Sequence, residues 1–106
     1  MNTTKHIKIV GVPKDGPSAP QWVREQWVGM VLPIVKGAPF PVYGIGAVGG
    51  LPENKRYVVK TAIAVSQLKE RNSEAACQWW RSRFVFDGPH SLEYLVFPRE
   101  ICEPLD

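Results

Sequence analysis

Glycine and proline are distributed so unevenly that the two halves of this chain cannot be built alike. Residues 53–87 contain neither, whereas residues 1–52 contain seven prolines and eight glycines. Each proline lacks the backbone N–H that donates a hydrogen bond, and each glycine destabilises the interior of a helix or strand. The first half can therefore hold only short strands between turns. The uninterrupted segment is free to form longer regular elements.

Short apolar runs rich in β-branched residues predict about five strands. The final strand is expected just before Pro98, and the other extended pieces are separated by turn residues. The candidate segments are residues 7–12, 27–32, 34–35, 42–43, 56–60 and 92–97.

Two helices are predicted near the middle of the chain, and one helical turn earlier. Ser18 and Gln21 have the spacing of a capping box. Thr61 can cap a first helix over residues 61–71, although a strand throughout that segment is the alternative. Ser73 can cap a second helix over residues 74–83. The expected apolar stripe of that second helix contains Ala76, Trp79, Trp80 and Phe84.

These elements predict an α+β fold in one small domain. The chain has 106 residues, of which 44% are apolar and 22% charged, as in folded proteins and unlike disordered ones. We expect short antiparallel strands in an open sheet or a small barrel, with two short helices inserted around residues 61–83.

The net charge of +3 hides a strong internal asymmetry. Residues 1–53 carry +2, residues 54–86 carry +5, and residues 87–106 carry −4. A basic middle and an acidic tail can pair within one monomer or between two copies.

Cysteine and histidine usage argues against a disulfide or a metal site. Cys77 and Cys102 are too few for a disulfide framework, and we expect both thiols to be free. His6 and His90 lie apart without ligand spacing, so no metal is expected. With no targeting signal and no apolar run long enough for a membrane span, the sequence predicts a cytoplasmic protein without membrane contact.

Residues 44–49 spell G-x-G-x-x-G, the pattern of a dinucleotide-binding loop. That motif must end a strand and open a helix, and Pro52 follows too soon for a helix to begin inside it. We therefore expect a tight loop and no cofactor. Asp87, His90 and Ser91 are also too close in sequence to form a catalytic triad, because a triad is assembled from separate elements.

The segment Trp79-Trp80-Arg81-Ser82-Arg83 is the most suggestive in the chain. Adjacent helical residues point about 100° apart, so both indoles cannot occupy the middle of one buried face. We expect Trp79 in the core and Trp80 at its margin, where it can contact a partner.

The leading hypothesis is a non-catalytic cytoplasmic interaction module that binds a protein partner or its own copies as a two-fold homodimer. Its expected contact residues are Trp80, Trp22, Arg81 and Arg83. One alternative is a small nucleic-acid-binding protein that uses the basic segment 54–86. Another alternative, a small enzyme with Cys77 as its nucleophile, requires an accessible thiol of lowered pKa.

Overall fold

The computed structural model describes residues 5–14, 19–35, 53–71, 73–87 and 91–105. Across these ranges the chain forms five strands, three α-helices and two 3₁₀ turns, at Glu53–Lys55 and Arg99–Ile101. The strands are β1 (His6–Ile9), β2 (Val31–Pro33), β3 (Arg56–Lys60), β4 (Tyr94–Pro98) and β5 (Cys102–Leu105). The α-helices are α1 (Gln21–Glu25), α2 (Thr61–Glu70) and α3 (Glu74–Arg83).

The strands form two small open sheets, and every pairing in them is antiparallel. One sheet has the order β2-β1-β5, and the other pairs β3 with β4. The backbone N–H of Val35 donates to the carbonyl oxygen of Val58 at 2.8 Å, which joins the end of the first sheet to β3. The predicted α+β fold with short antiparallel strands is confirmed.

The core lies where both sheets and all three helices place their apolar residues. In β1, Ile7 and Ile9 are buried while His6 and Lys8 are exposed, as expected for a strand with one solvated face. The same cluster contains Val23, Trp27, Met30, Leu32, Tyr57, Val59, Ala64, Val65, Leu68, Ala76, Cys77, Trp80, Leu95, Phe97 and Cys102.

Residues 61–70 are helical, which resolves the helix-or-strand alternative. Thr61, Ala64, Val65 and Leu68 are buried on one face, whereas Ile63 is 43% exposed. A strand would have placed Ile63 and Val65 on the same face. Thr61 itself is the first helical residue and does not act as the cap. Its N–H donates to the carbonyl oxygen of Glu93 at 3.0 Å and therefore needs no cap.

Helix α3 begins at Glu74 with Ser73 in the predicted cap position. The Ser73 hydroxyl does not cap the helix, because it donates to Oε1 of Gln26 at 2.7 Å. The backbone carbonyl oxygen of Ser73 accepts a hydrogen bond from the N–H of Cys77 at 3.0 Å. The polar start of α3 is thereby tied to Gln26, the residue that follows α1.

Helix α1 starts without the predicted capping box. Pro20 precedes the helix, and the Gln21 amide donates forward to Oε1 of Glu25 at 2.7 Å. Ser18 lies outside the described residues. The strand expected over residues 27–32 is shorter and begins only at Val31, because a turn follows α1 and ends at Gly29, whose φ is +89°. That left-handed conformation suits glycine.

A fifth strand follows the one that was expected to be last. Pro98 ends β4, and one 3₁₀ turn later β5 returns to pair with β1. The prediction that the last strand precedes Pro98 is therefore wrong. Residues 34–35 are not a strand, although they contribute backbone hydrogen bonds, and residues 42–43 lie outside the described part of the chain.

Candidate partner-binding surface

The two adjacent tryptophans of α3 have the opposite roles from those predicted. Trp80 is 1% exposed and packs against Trp27 and Phe84, with ring centroids 5.7 and 5.6 Å away. Trp79 is only partly buried and meets the Trp80 ring edge-on at 5.1 Å. The prediction of Trp79 in the core and Trp80 at its margin is wrong. Trp80 offers no surface to a partner.

Helical geometry explains the reversal. Ala76, Cys77 and Trp80 are the buried residues of α3, and successive residues turn by about 100°. Trp80 therefore lies between Ala76 and Cys77 in projection, at the centre of the buried face, and Trp79 falls at one edge. The predicted apolar stripe did not include Cys77, and without Cys77 the centre of the stripe lies closer to Trp79.

Arg83 lies on the same side of α3 as Trp79, one turn later. Its guanidinium carbon is 4.6 Å from the centroid of the Trp79 ring. The Ser82 hydroxyl donates to the Trp79 carbonyl oxygen at 3.0 Å and accepts a hydrogen bond from Nη1 of Arg83 at 3.2 Å. The cation is thus held in place on an aromatic ring, and its other N–H groups have no partner among the described residues.

Val85 lies two residues after Arg83, beyond the end of the helix. Phe84 and Phe86 pack against the core, whereas Val85 between them is 68% exposed. The Val85 carbonyl oxygen accepts the N–H of Leu92 at 2.8 Å, which anchors the segment. We call Trp79, Arg83 and Val85 the α3-end surface.

The other predicted contact residues are exposed but lie elsewhere. Arg81 is exposed and lies about 160° from Trp79 around the helix axis, so it cannot share a flat contact with Arg83. Trp22 is on α1 and is 46% exposed, and its carbonyl oxygen accepts a hydrogen bond from the Gln26 amide at 3.2 Å. Trp22 is an exposed aromatic on an element separate from the α3-end surface.

Part of the basic middle segment has a structural role. Arg56 is only 8% exposed. Arg71 donates from Nη1 to the carbonyl oxygen of Gly29 at 2.9 Å and so links the end of α2 to the turn before β2. The charge of residues 54–86 therefore overstates the positive surface that a partner can reach.

The acidic tail presents carboxylates outward while its arginine points inward. Arg99 donates from Nε to the Arg56 carbonyl oxygen at 3.1 Å, and its guanidinium carbon is 4.5 Å from the Tyr57 ring centroid. Glu100 and Glu103 are exposed. Sequence reasoning missed this inward arginine, because these contacts join residues far apart in the chain.

Both cysteines are buried and free. Cys77 is 2% exposed, and burial raises the pKa of the Cys102 thiol to about 12, so that thiol is protonated at neutral pH. A reactive cysteine needs access and a lowered pKa. Cys77 lacks the access, and Cys102 lacks the lowered pKa.

We expect thermal unfolding to be the same under oxidising and reducing conditions, because no disulfide contributes to the fold. Scanning calorimetry with and without a reductant checks this on wild type and on Cys77→Ser. A wild-type melting temperature that falls when reductant is added would contradict it.

Comparisons with protein-family models, with curated proteins and with solved structures found no match. In the part of the chain that the structure describes, no helix is long and apolar enough to cross a membrane. The same residues contain no group of three or more His, Cys, Asp or Glu side chains that could hold a metal ion. The glycine motif at 44–49 and His90 lie outside the described residues.

Proposed function

We propose that this protein is a non-catalytic interaction module that binds another protein or its own copies. The α3-end surface carries the proposal. It combines a partly buried tryptophan, an arginine held on that ring, and the valine Val85 at 68% exposure. Tryptophan and arginine are enriched where protein interfaces concentrate their binding energy, and a side chain already held in place loses less entropy on binding. The exposed Trp22 is a second contact candidate.

The buried state of both thiols supports the non-catalytic assignment, because Cys77 was the nucleophile on which the enzyme alternative depended. A cytoplasmic location is part of the same proposal and suits two free cysteines in a chain of this size.

The nucleic-acid alternative has less support. Single-stranded nucleic acid stacks its bases on exposed aromatic faces and binds its phosphates through free cations. In this protein one face of Trp79 is occupied by Arg83, and Arg56 is buried. These features favour a protein partner.

Affinity capture from the native lysate tests the proposal, with and without nuclease treatment. We expect the same proteins, including untagged copies of this chain, to be recovered in both samples. Recovery should fall for Arg83→Ala/Val85→Ser and stay at the wild-type level for the control Arg81→Ala/Ile63→Ser. The control changes an arginine and a β-branched aliphatic residue at exposed positions outside the α3-end surface. Trp22→Ala, measured alongside, shows whether Trp22 contributes.

Two results would count against the proposal. One is recovery of nucleic acid that nuclease removes, with binding that weakens steeply as salt rises, because phosphate contacts release counterions. The other is protein recovery that Arg83→Ala/Val85→Ser leaves unchanged.

A further inference from the structure

We propose that the partner of the α3-end surface is a second copy of this chain, and that Arg83 binds the exposed carboxylates of Glu100 and Glu103 in that copy. The inference rests on the proposed function and specifies its partner. Three observations support it. The basic segment 54–86 and the acidic tail carry opposite charge, Arg83 is held on the Trp79 ring, and the tail exposes its carboxylates.

The Arg83 side chain is held in an orientation that suits carboxylate binding. Its contacts with the Trp79 ring and with Ser82 Oγ use one face and one N–H of the guanidinium. Among the described residues no carboxylate pairs with it. An arginine held in this way can form a charge-assisted and bidentate pair with an incoming carboxylate, at a smaller loss of side-chain entropy than a free one.

The tail supplies the matching charge. Residues 87–106 carry −4, and Arg99, the one Lys or Arg residue among them, contacts the Tyr57 ring and the Arg56 carbonyl oxygen. Every charged residue that is exposed in the described part of the tail is a carboxylate. Glu100 and Glu103 flank the start of β5 and are both exposed.

Strand pairing along β5 does not provide the contact. Val10 donates its N–H to the carbonyl oxygen of Ile101 at 2.8 Å, so Cys102 and Pro104 are the residues whose backbone faces away from β1. The Cys102 N–H already donates to the Arg99 carbonyl oxygen, and proline has no N–H. Within the described residues this edge has no free donor for a second strand, so the tail has to bind through its side chains.

Two-fold symmetry doubles the contact. When the α3-end surface of one copy meets the tail of the other, the same contact forms a second time with the roles exchanged. Trp79 and Val85 supply apolar area beside each charge pair. Such pairs favour the correct orientation, because like charges in the same positions repel.

A charge-exchange experiment tests the inference with purified protein. Arg83→Glu and Glu100→Lys/Glu103→Gln are made separately, and dissociation constants of the dimers are measured by sedimentation. Glutamine is used at position 103 because Lys8 lies opposite on β1 and a lysine would face a like charge. Each variant alone should dimerise about tenfold more weakly or worse, since reversal sets like charges together.

Mixing the two variants is the decisive step. In the mixed dimer the glutamate introduced by Arg83→Glu meets the lysine introduced by Glu100→Lys, while the second contact keeps its native arginine and its native carboxylates. Both contacts are then attractive, and we expect a mixed dimer about as tight as wild type. The control Arg81→Glu makes the same charge change on the opposite side of α3 and should leave dimerisation within about threefold of wild type.

The failures are distinguishable. If Arg83→Glu dimerises as tightly as wild type, the protein associates through another surface, which overturns this inference and leaves self-association in place. A wild type that never dimerises also overturns it, while the lysate capture still decides whether another protein is bound. If each variant alone dimerises weakly and the mixture dimerises no more tightly, the result would contradict the pairing of Arg83 with Glu100 and Glu103. Circular dichroism confirms that each variant is folded.

Discussion

Trp80→Ala is expected to lower the free energy of unfolding by about 3 to 5 kcal/mol, the cost typical of removing a buried aromatic side chain from a core. Trp80 is 1% exposed and packs against both Trp27 and Phe84. For a chain of this size that loss corresponds to a fall of more than about 12 °C in melting temperature. Denaturant unfolding followed by circular dichroism measures it.

Trp79→Ala is the matched control, because it removes the same side chain from the next position. Trp79 is only partly buried, so we expect a loss of about 1 kcal/mol. If Trp80→Ala does not fold, Trp80→Phe is measured in its place. The Trp80 indole N–H has no hydrogen-bond partner in the described residues, so phenylalanine loses volume but no hydrogen bond. A larger effect of Trp79→Ala than of Trp80→Ala would contradict the assignment.

Leu68→Ala is expected to cost about 2 to 5 kcal/mol, because Leu68 is fully buried on the inner face of α2. Ile63→Ala removes an aliphatic side chain of the same size from the same helix, at a position 43% exposed, and should cost about 0.5 kcal/mol or less. Thermal and denaturant unfolding of the two variants measure the difference.

The comparison tests the helix itself, because a strand over residues 61–70 would alternate its faces with a period of two. Leu68 and Ile63 would then lie on opposite faces, but Ile63 and Val65 would share one. Val65→Ala should therefore behave like Leu68→Ala and unlike Ile63→Ala. Similar costs for Val65→Ala and Ile63→Ala would contradict the helical assignment of α2.

The sequence predicted helices and strands correctly where residue type and flanking residues indicated the same element. Residues 56–60 combine β-branched side chains with flanking polar residues, and β3 has those bounds. Helix α3 follows Ser73 as expected. Strand β5 was missed because Pro104 and the charge of Glu103 weaken its local pattern. Its place beside β1 depends on pairing between the two ends of the chain, which no local pattern encodes.

The candidate site was only partly predictable for a similar reason. Arg83 and Trp22 are exposed, as a contact residue must be, whereas Trp80 is buried. The signal that could have identified Trp80 as the core indole is Cys77, whose inclusion moves the centre of the buried face to Trp80. The inward orientation of Arg99 could not be foreseen, because it depends on a carbonyl 43 residues away.

Sedimentation equilibrium of the wild-type protein over a range of micromolar concentrations tests the claim of self-association most directly. We predict an average mass that rises with loading from near 11.9 kDa toward twice that value. The rise should shrink as salt is added, because the proposed contact pairs exposed charges. A mass near 11.9 kDa at every loading and at low salt would contradict self-association.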